Sequence, residues 1–232
     1  MNERNHMSKV IVFVGAHPDD DINAAGYLAQ AAADGAHVVC VFLSRGEAGQ
    51  MPGLGMDAAL IRTAEQHAAA HLIGVAECLF LDHLGYRDGA CGDTSPEPAI
   101  LAIADLFTRL SPDVVITFDD GGLTGHDDHA VAGRIALEAV QRAAASCEVL
   151  QMVVTDHFAD KVIPHLDRIG AMMNANRPRC VNLADAHLVL TIAGQMLDRK
   201  LEAYRAHGSQ SLESRLGPAL LDWLSHEAYV RV

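Results

Sequence analysis

Short apolar runs without polar alternation stand at residues 10–14, 38–43 and 114–117, with a weaker one at 78–81. Between and after them lie Ala-rich stretches of helical length at 22–33, 57–73, 98–110 and 130–145. A strand that is apolar at successive positions is covered on both faces, as in a parallel sheet. The alternation therefore predicts right-handed β-α-β units. It points to one α/β domain over residues 1–232, a doubly wound, Rossmann-like, mostly parallel sheet flanked by helices. Beyond residue 149 the pattern is less regular, with a strand expected at 188–192, a helix at 194–205 and a last apolar stretch near Trp223. Gly-rich loops at 46–55 and 121–125 follow predicted strands, where α/β enzymes carry function. No repeat, low-complexity tract or Pro/Ser-rich linker suggests a second domain.

Composition narrows the partners. Half of the 232 residues are apolar, enough for a sizeable core. The balance of 17 Lys+Arg against 30 Asp+Glu gives a net charge of -13, which repels a phosphate backbone and argues against nucleic acid. The five cysteines, Cys40, Cys78, Cys91, Cys147 and Cys180, are odd in number and form no C-x-x-C pair, as expected of buried free thiols in a reducing compartment. The polar residues 1–9 and the short run at 10–14 give neither a signal core nor a membrane span. These features predict a soluble cytoplasmic protein, and they leave room for a homo-oligomer.

The chemistry-bearing residues fall in two turns. Ala16-His17-Pro18-Asp19-Asp20-Asp21 directly follows the first strand, and three carboxylates crowded there are costly without a cation. Pro18 pushes His17 toward an extended backbone, and Asp20 and Asp21 stand where a helix N-terminus favours negative charge. Alone, the turn could be an N-cap cluster beside a chance histidine. Gly125-His126-Asp127-Asp128-His129 follows the run at 114–117 and opens the next helix, so its two histidines face one side. If both turns sit at the carboxyl edge of neighbouring strands, His17, Asp20 and His129 converge as three protein ligands with positions left open, the composition of a catalytic metal site. The competing picture is a capped helix with solvated histidines.

These motifs resemble those of the PIG-L or LmbE-like zinc deacetylases, which share an A-H-P-D-D-[ED] turn and a later H-x-D-H. The likeness continues in order through Ser44-Arg45-Gly46-Glu47-Ala48-Gly49, Arg62-Thr63-Ala64-Glu65 with Leu72-Ile73-Gly74-Val75, and Tyr204-Arg205-Ala206-His207-Gly208-Ser209-Gln210. Members act on N-acetylglucosamine-containing compounds. The resemblance implies zinc, or ferrous iron, on His17, Asp20 and His129, and Asp19 as general base for a water activated by the metal. It implies His126, held by Asp128, as oxyanion donor or proton donor to the leaving amine. A histidine beside a carboxylate is expected to stay charged more readily. The implied substrate is a small N-acetylated amino sugar. Three positions depart from the family pattern: Asp21 replaces the usual Glu, Asp127 a common Pro, and Thr124 a Tyr found in some relatives.

Arg62 reads equally as a contact to a sugar hydroxyl or phosphate and as an exposed helix arginine paired with an acid. Glu47 is a candidate buttress of the metal loop, and the loop at 85–98 with Cys91 is expected to shape the pocket. The remaining histidines read as core or surface residues. Two other functions compete: a metal-dependent phosphohydrolase, which would use two ions, and a non-catalytic sugar- or nucleotide-binding module, which has no use for Asp19 beside Asp20.

Overall fold

The computed structural model describes residues 8–49, 58–174, 176 and 178–232. The four apolar runs form β1 (Val10–Gly15), β2 (His37–Phe42), β3 (Glu77–Phe80) and β4 (Val114–Phe118), paired in parallel. All five residues of β4 are buried, which is why its sequence shows no alternation. β3 lies at the edge with its side chains half covered, and its sequence signal is correspondingly weak.

The connecting helices are α1 (Ala25–Ala33), α2 (Ala58–Ile73), α3 (Glu97–Leu110), the four-residue α4 (Gly122–Gly125) and α5 (Asp127–Arg142). The helix expected from residue 22 instead opens with a 3-10 turn, Asp20–Ala24. Residue 57 of the predicted second helix and residues 50–55 of the first Gly-rich loop lie outside the described residues. α5 starts before the expected residue 130, because the metal-type motif itself forms its first turn.

β5 (Glu148–Met152) extends the sheet parallel to β4. A small ribbon of β6 (Val154–Thr155) and β7 (Cys180–Val181) encloses α6 (Asp156–Lys161) and α7 (Ile163–Arg168). Then come β8 (Leu188–Thr191), α8 (Gly194–Ala206), α9 (Glu213–Leu216), α10 (Ala219–Leu224) and β9 (His226–Arg231). The apolar stretch near Trp223 is therefore a short helix followed by a strand. The sheet order is β3-β2-β1-β4-β5-β9-β8, with β9 antiparallel to both β5 and β8.

This order fixes where a site can form. From β1 the chain winds outward through β2 and β3, then returns to β4 and winds the other way. β1 and β4 are thus neighbours whose following loops diverge, leaving a crevice at their carboxyl ends. Two apolar layers hold the sheet. Phe13, Phe42 and Phe118 pack with Ile22, Leu28 and Ile73 on one face, and Val12, Val14 and Val115 with Ile103, Phe107 and Ile135 on the other. Each such fully buried side chain contributes about 1.5–3 kcal/mol.

One buried ion pair crosses the first layer. Lys200 Nζ on α8 donates to Glu227 Oε1 on β9 at 2.5 Å. The same carboxylate accepts from Gly26 N at 2.6 Å, Tyr27 N at 3.0 Å and Tyr229 Oη at 2.8 Å. It thereby satisfies amides at the start of α1 that have no partner within the helix. All five cysteines are unpaired, Cys40 and Cys91 buried and Cys180 exposed. Among the described residues no helix is long and apolar enough to cross a membrane.

Candidate metal centre

The turn after β1 is organised around Asp20. Its Oδ2 accepts from the amides of Ala16 at 2.6 Å and His17 at 3.0 Å, so its Oδ1 is left facing His129 Nε2 at 3.0 Å and His17 Nδ1 at 3.7 Å. A Cβ at Gly15 would stand 3.0 Å from Asp20 Cβ and 2.7 Å from the Phe13 ring, so a side chain there would push the ligand turn off the strand. Asp19 takes a left-handed backbone, φ 90° and ψ -16°, and its carbonyl accepts from Ile22 N at 3.0 Å to close the 3-10 turn.

The loop after β4 orients the second motif. Asp119 Oδ1 accepts from Gly121 N and Gly122 N, each at 3.0 Å, and Gly122 at φ +63° turns its carbonyl onto His129 Nδ1 at 2.9 Å. That bond places the proton on Nδ1 and leaves the Nε2 lone pair directed at Asp20. The His129 ring lies flat on Phe118, 4.1 Å between centroids and 9° between planes. His126 caps α5, its Nδ1 accepting from Asp128 N at 3.1 Å. One ligand-type atom from each of His17, Asp20 and His129 lies within 4.8 Å of the other two, all three residues being buried.

A second set of close donors, His17, Asp88, His126 and Asp128, shares His17 with the first. His17 Nε2 faces Asp128 Oδ2 at 3.1 Å and Asp88 Oδ1 at 3.2 Å. The carboxylate of Asp128 also accepts from Gly89 N at 2.7 Å and Cys91 N at 3.0 Å. A carboxylate behind an imidazole fixes its tautomer and frees the other nitrogen, here Nδ1, for a metal. Asp88 and Asp128 thus stand behind Nε2 of His17, on the side away from the Asp20 carboxylate that its Nδ1 faces.

The electrostatics call for a cation. Burial alone would lower the His17 pKa, yet hydrogen bonds to Asp128 and Asp20 and the charges of Asp20 and Asp88 raise it to about 10. Asp20 is likewise pulled well below the carboxylate range, against its own burial, by His129 and His17. Without a metal the cluster holds a proton in its place. Two imidazoles and a carboxylate with open positions are a donor set that fits a divalent metal.

Around this core the titrating groups are displaced in useful directions. Desolvation raises Asp19 to about 6, Arg62 opposing and Asp20 reinforcing, while 33% of its side chain stays open to solvent. Burial raises Asp21 to about 7, and its Oδ1 is buried without a hydrogen-bond partner. Burial lowers His126 to about 4, assisted by His129 and His17. His126 is therefore neutral, and the charged histidine expected from the neighbouring carboxylate does not form. The Asp128 carboxylate is turned to His17 and the 89–91 backbone, so His126 is met by the amide of Asp128 and not by its side chain.

Arg62 is neither exposed nor simply paired. It is 5% exposed, with Nη2 on Pro18 O at 2.7 Å and Asp19 Oδ1 at 3.3 Å, and Nη1 on Gly46 O at 3.0 Å and Asp88 Oδ2 at 3.2 Å. It braces the turn at residues 16–21 against two loops. Glu47 accepts from Asp88 N at 3.0 Å, so it buttresses the Asp88 loop. His207 is buried with neither ring nitrogen bonded, and burial lowers its pKa to about 4. Two residues of the site were not singled out from the sequence: Asp88, in the loop expected only to shape the pocket, and Gln66. The spacing of Gln66, four after Arg62 on α2, was the one available hint.

Comparison with known proteins adds an independent line. The family model described as PIG-L, GlcNAc-PI de-N-acetylase, matches residues 12–140. A 1D-myo-inositol 2-acetamido-2-deoxy-alpha-D-glucopyranoside deacetylase from Kineococcus radiotolerans is 29% identical over 255 positions, covering 90% of this chain and 70% of that protein. Other relatives of the same name are matched over about half their length. The N,N'-diacetylchitobiose deacetylase of Pyrococcus horikoshii superposes with a TM-score of 0.67 at 20% identity, over 97% of this chain and 84% of that one. GalB, a 4-carboxy-2-hydroxymuconate hydratase from Pseudomonas putida KT2440, gives 0.64 at 18%, over 97% and 96%. A deacetylase and a hydratase on one fold leave the reaction to be argued from the site.

Proposed function

Because the chain belongs to the PIG-L, GlcNAc-PI de-N-acetylase family, we propose that it is a metal-dependent hydrolase removing an N-acetyl group from a small N-acetylglucosamine-containing molecule. The observation that carries this is the convergence of His17, Asp20 and His129, with Asp19 beside them, at the β1–β4 crevice. Zinc suits the donor set best, and ferrous iron is the alternative ion. A divalent metal there supplies Lewis acidity, polarising the acyl oxygen and acidifying a water.

The protein's own groups account for the proton movements. Asp19, raised to about 6, is a carboxylate at neutral pH yet basic enough to take a proton from the attacking water. His126 keeps its proton on Nε2, because Nδ1 is occupied by the Asp128 amide, and can donate a hydrogen bond to the developing oxyanion. Its neutrality favours that role over proton donation. The water oxygen bonds to the acyl carbon, the C–N bond breaks, and the proton held by Asp19 passes to the departing amine; the acetic acid formed gives up its remaining proton, leaving acetate and an ammonium group. Arg62 and Asp88 hold Asp19 and His17 in place from the far side.

The test is acetate release. Metal-loaded protein is incubated with N-acetylglucosaminyl conjugates, including N-acetylglucosaminyl-inositol and N,N'-diacetylchitobiose, beside N-acetylated amino acids. Release from the sugar conjugates, with about one metal per chain, is the expected result. A metal-loaded protein that frees acetate from none of them overturns the proposal, and a content of two metals with phosphate release favours the phosphohydrolase.

A further inference from the structure

Gln66 is fully buried, touches the catalytic turn at Asp19 and Asp21, and has no part in the reaction above. Its Oε1 accepts from Asp19 N at 3.0 Å, and its Nε2 donates to Asp21 Oδ2 at 2.8 Å. The amide orientation follows from chemistry. An N–H can only donate, so it must meet the oxygen of Gln66, and the NH2 group is left to face the Asp21 carboxylate.

We propose that Gln66 is a positioning residue that holds Asp19 in its left-handed backbone and so fixes the direction of the Asp19 carboxylate. A residue with a Cβ adopts φ 90° only when its surroundings over-determine it. Here the carboxylate of Asp19 is tied to Arg62 and its carbonyl to Ile22 N, while its own N–H is tied to Gln66. Gln66 is locked in turn by Asp21, and Arg62 and Gln66, four apart on α2, make one rigid rail under the turn. Relaxation of Asp19 toward negative φ would swing its side chain away from the ligand cluster.

The ligand Asp20 does not depend on this rail, because its Oδ2 is held by the Ala16 and His17 amides. Loss of Gln66 should therefore separate turnover from metal binding. The inference rests on the reading of Asp19 as general base, and the experiment tells the two apart. Gln66→Leu, Gln66→Glu, the pair Gln66→Glu with Asp21→Asn, and Asp19→Asn are each assayed for metal content, kcat and KM, and metal-free Gln66→Leu is crystallised.

Gln66→Leu is expected to keep about one metal per chain and a KM within about twofold while kcat falls about tenfold to a hundredfold, the scale of a roughly 1 Å misplacement. Its metal-free crystal structure should show Asp19 outside the left-handed region. Gln66→Glu keeps the size but sets two carboxylates face to face, so it should be similarly impaired, and it stands in if Gln66→Leu fails to fold. Asp21→Asn added to it restores a donor between the two side chains and should return kcat to within about threefold, a recovery that general loss of packing would not give. Unchanged kcat in both single variants, or a pair no better than Gln66→Glu, overturns the positioning role. Near-normal turnover in Asp19→Asn overturns the base assignment itself.

Discussion

Two clusters of buried charge bear on one stretch of chain, the turn at Asp19–Asp21 and the start of α1 just after it, and they are built to opposite plans. Around Glu227 every demand is met: one ammonium, two helix-end amides and one phenol share two carboxylate oxygens. Around Asp19–Asp20–Asp21 acids crowd one another, Asp19 holds a strained backbone, and Asp21 Oδ1, Arg62 Nε and both His207 nitrogens are buried without partners. A saturated pair serves the fold, and breaking it leaves a naked buried charge. A cluster that tolerates strain and excess negative charge is shaped for a cation and a reaction. The difference between them can be broken by substitution.

The largest effect is expected inside the second cluster. Asp20→Ala or His129→Ala should lose most of the metal and reduce acetate release to background, since two donors do not hold the ion. Asp19→Asn should keep the metal and lose about 10² to 10⁴ in turnover. Elemental analysis and acetate release, measured on the same preparations, check both. Full metal retention in His129→Ala would mean that the inner ligand set is wrong.

Glu227→Ala should reverse the pattern. It strands Lys200, buried beside it, and should cost about 3–5 kcal/mol in urea unfolding, with turnover per folded chain unchanged. A kcat loss without a stability loss would erase the distinction between the clusters. Asp128→Ala falls between, removing the carboxylate behind His17, and should weaken metal affinity about 10- to 100-fold in competition with a chelator.

The smallest effect sharpens the comparison through pH. In metal-free protein His17 is raised from its usual 6.5 to about 10. A raised pKa gives stability that is fully present below about 6.5 and fades as pH climbs toward 10. Metal-free protein should therefore unfold more readily at pH 9 than at pH 6.5, and His17→Ala should flatten that slope. Loading the metal should flatten it too, because the ion takes the proton's place.

Much of this was legible in the chain. Strands covered on both faces announce themselves as unbroken apolar runs, and β1, β2 and β4 appear within a residue or so of where the pattern sets them. β5 and β9 escaped because Glu148, Gln151, His226 and Glu227 interrupt them, and the two pair with each other across more than 70 residues of intervening chain. In the candidate site, the convergence of His17, Asp20 and His129 could be anticipated because each stands in a motif beside a strand end. Asp88 and Gln66 were harder, since their contacts to His17 and Asp19 cross 47 residues or more and stand outside both motifs.

The clamp on α1 also bears on how the molecule comes into being. Glu227 reaches Gly26 across 201 residues, so during synthesis the helix that follows the ligand turn is made long before the carboxylate that ties down its end. Contacts of that span are slow to close and reward the chain only after the loop between them is ordered. Until β9 docks, the amides at the start of the first helix lack the carboxylate that caps them. The ligand turn before it is framed by nearer partners, the amides of Ala16 and His17 and the side chains of Arg62 and Gln66, so its assembly can run ahead of the clamp on the helix that follows.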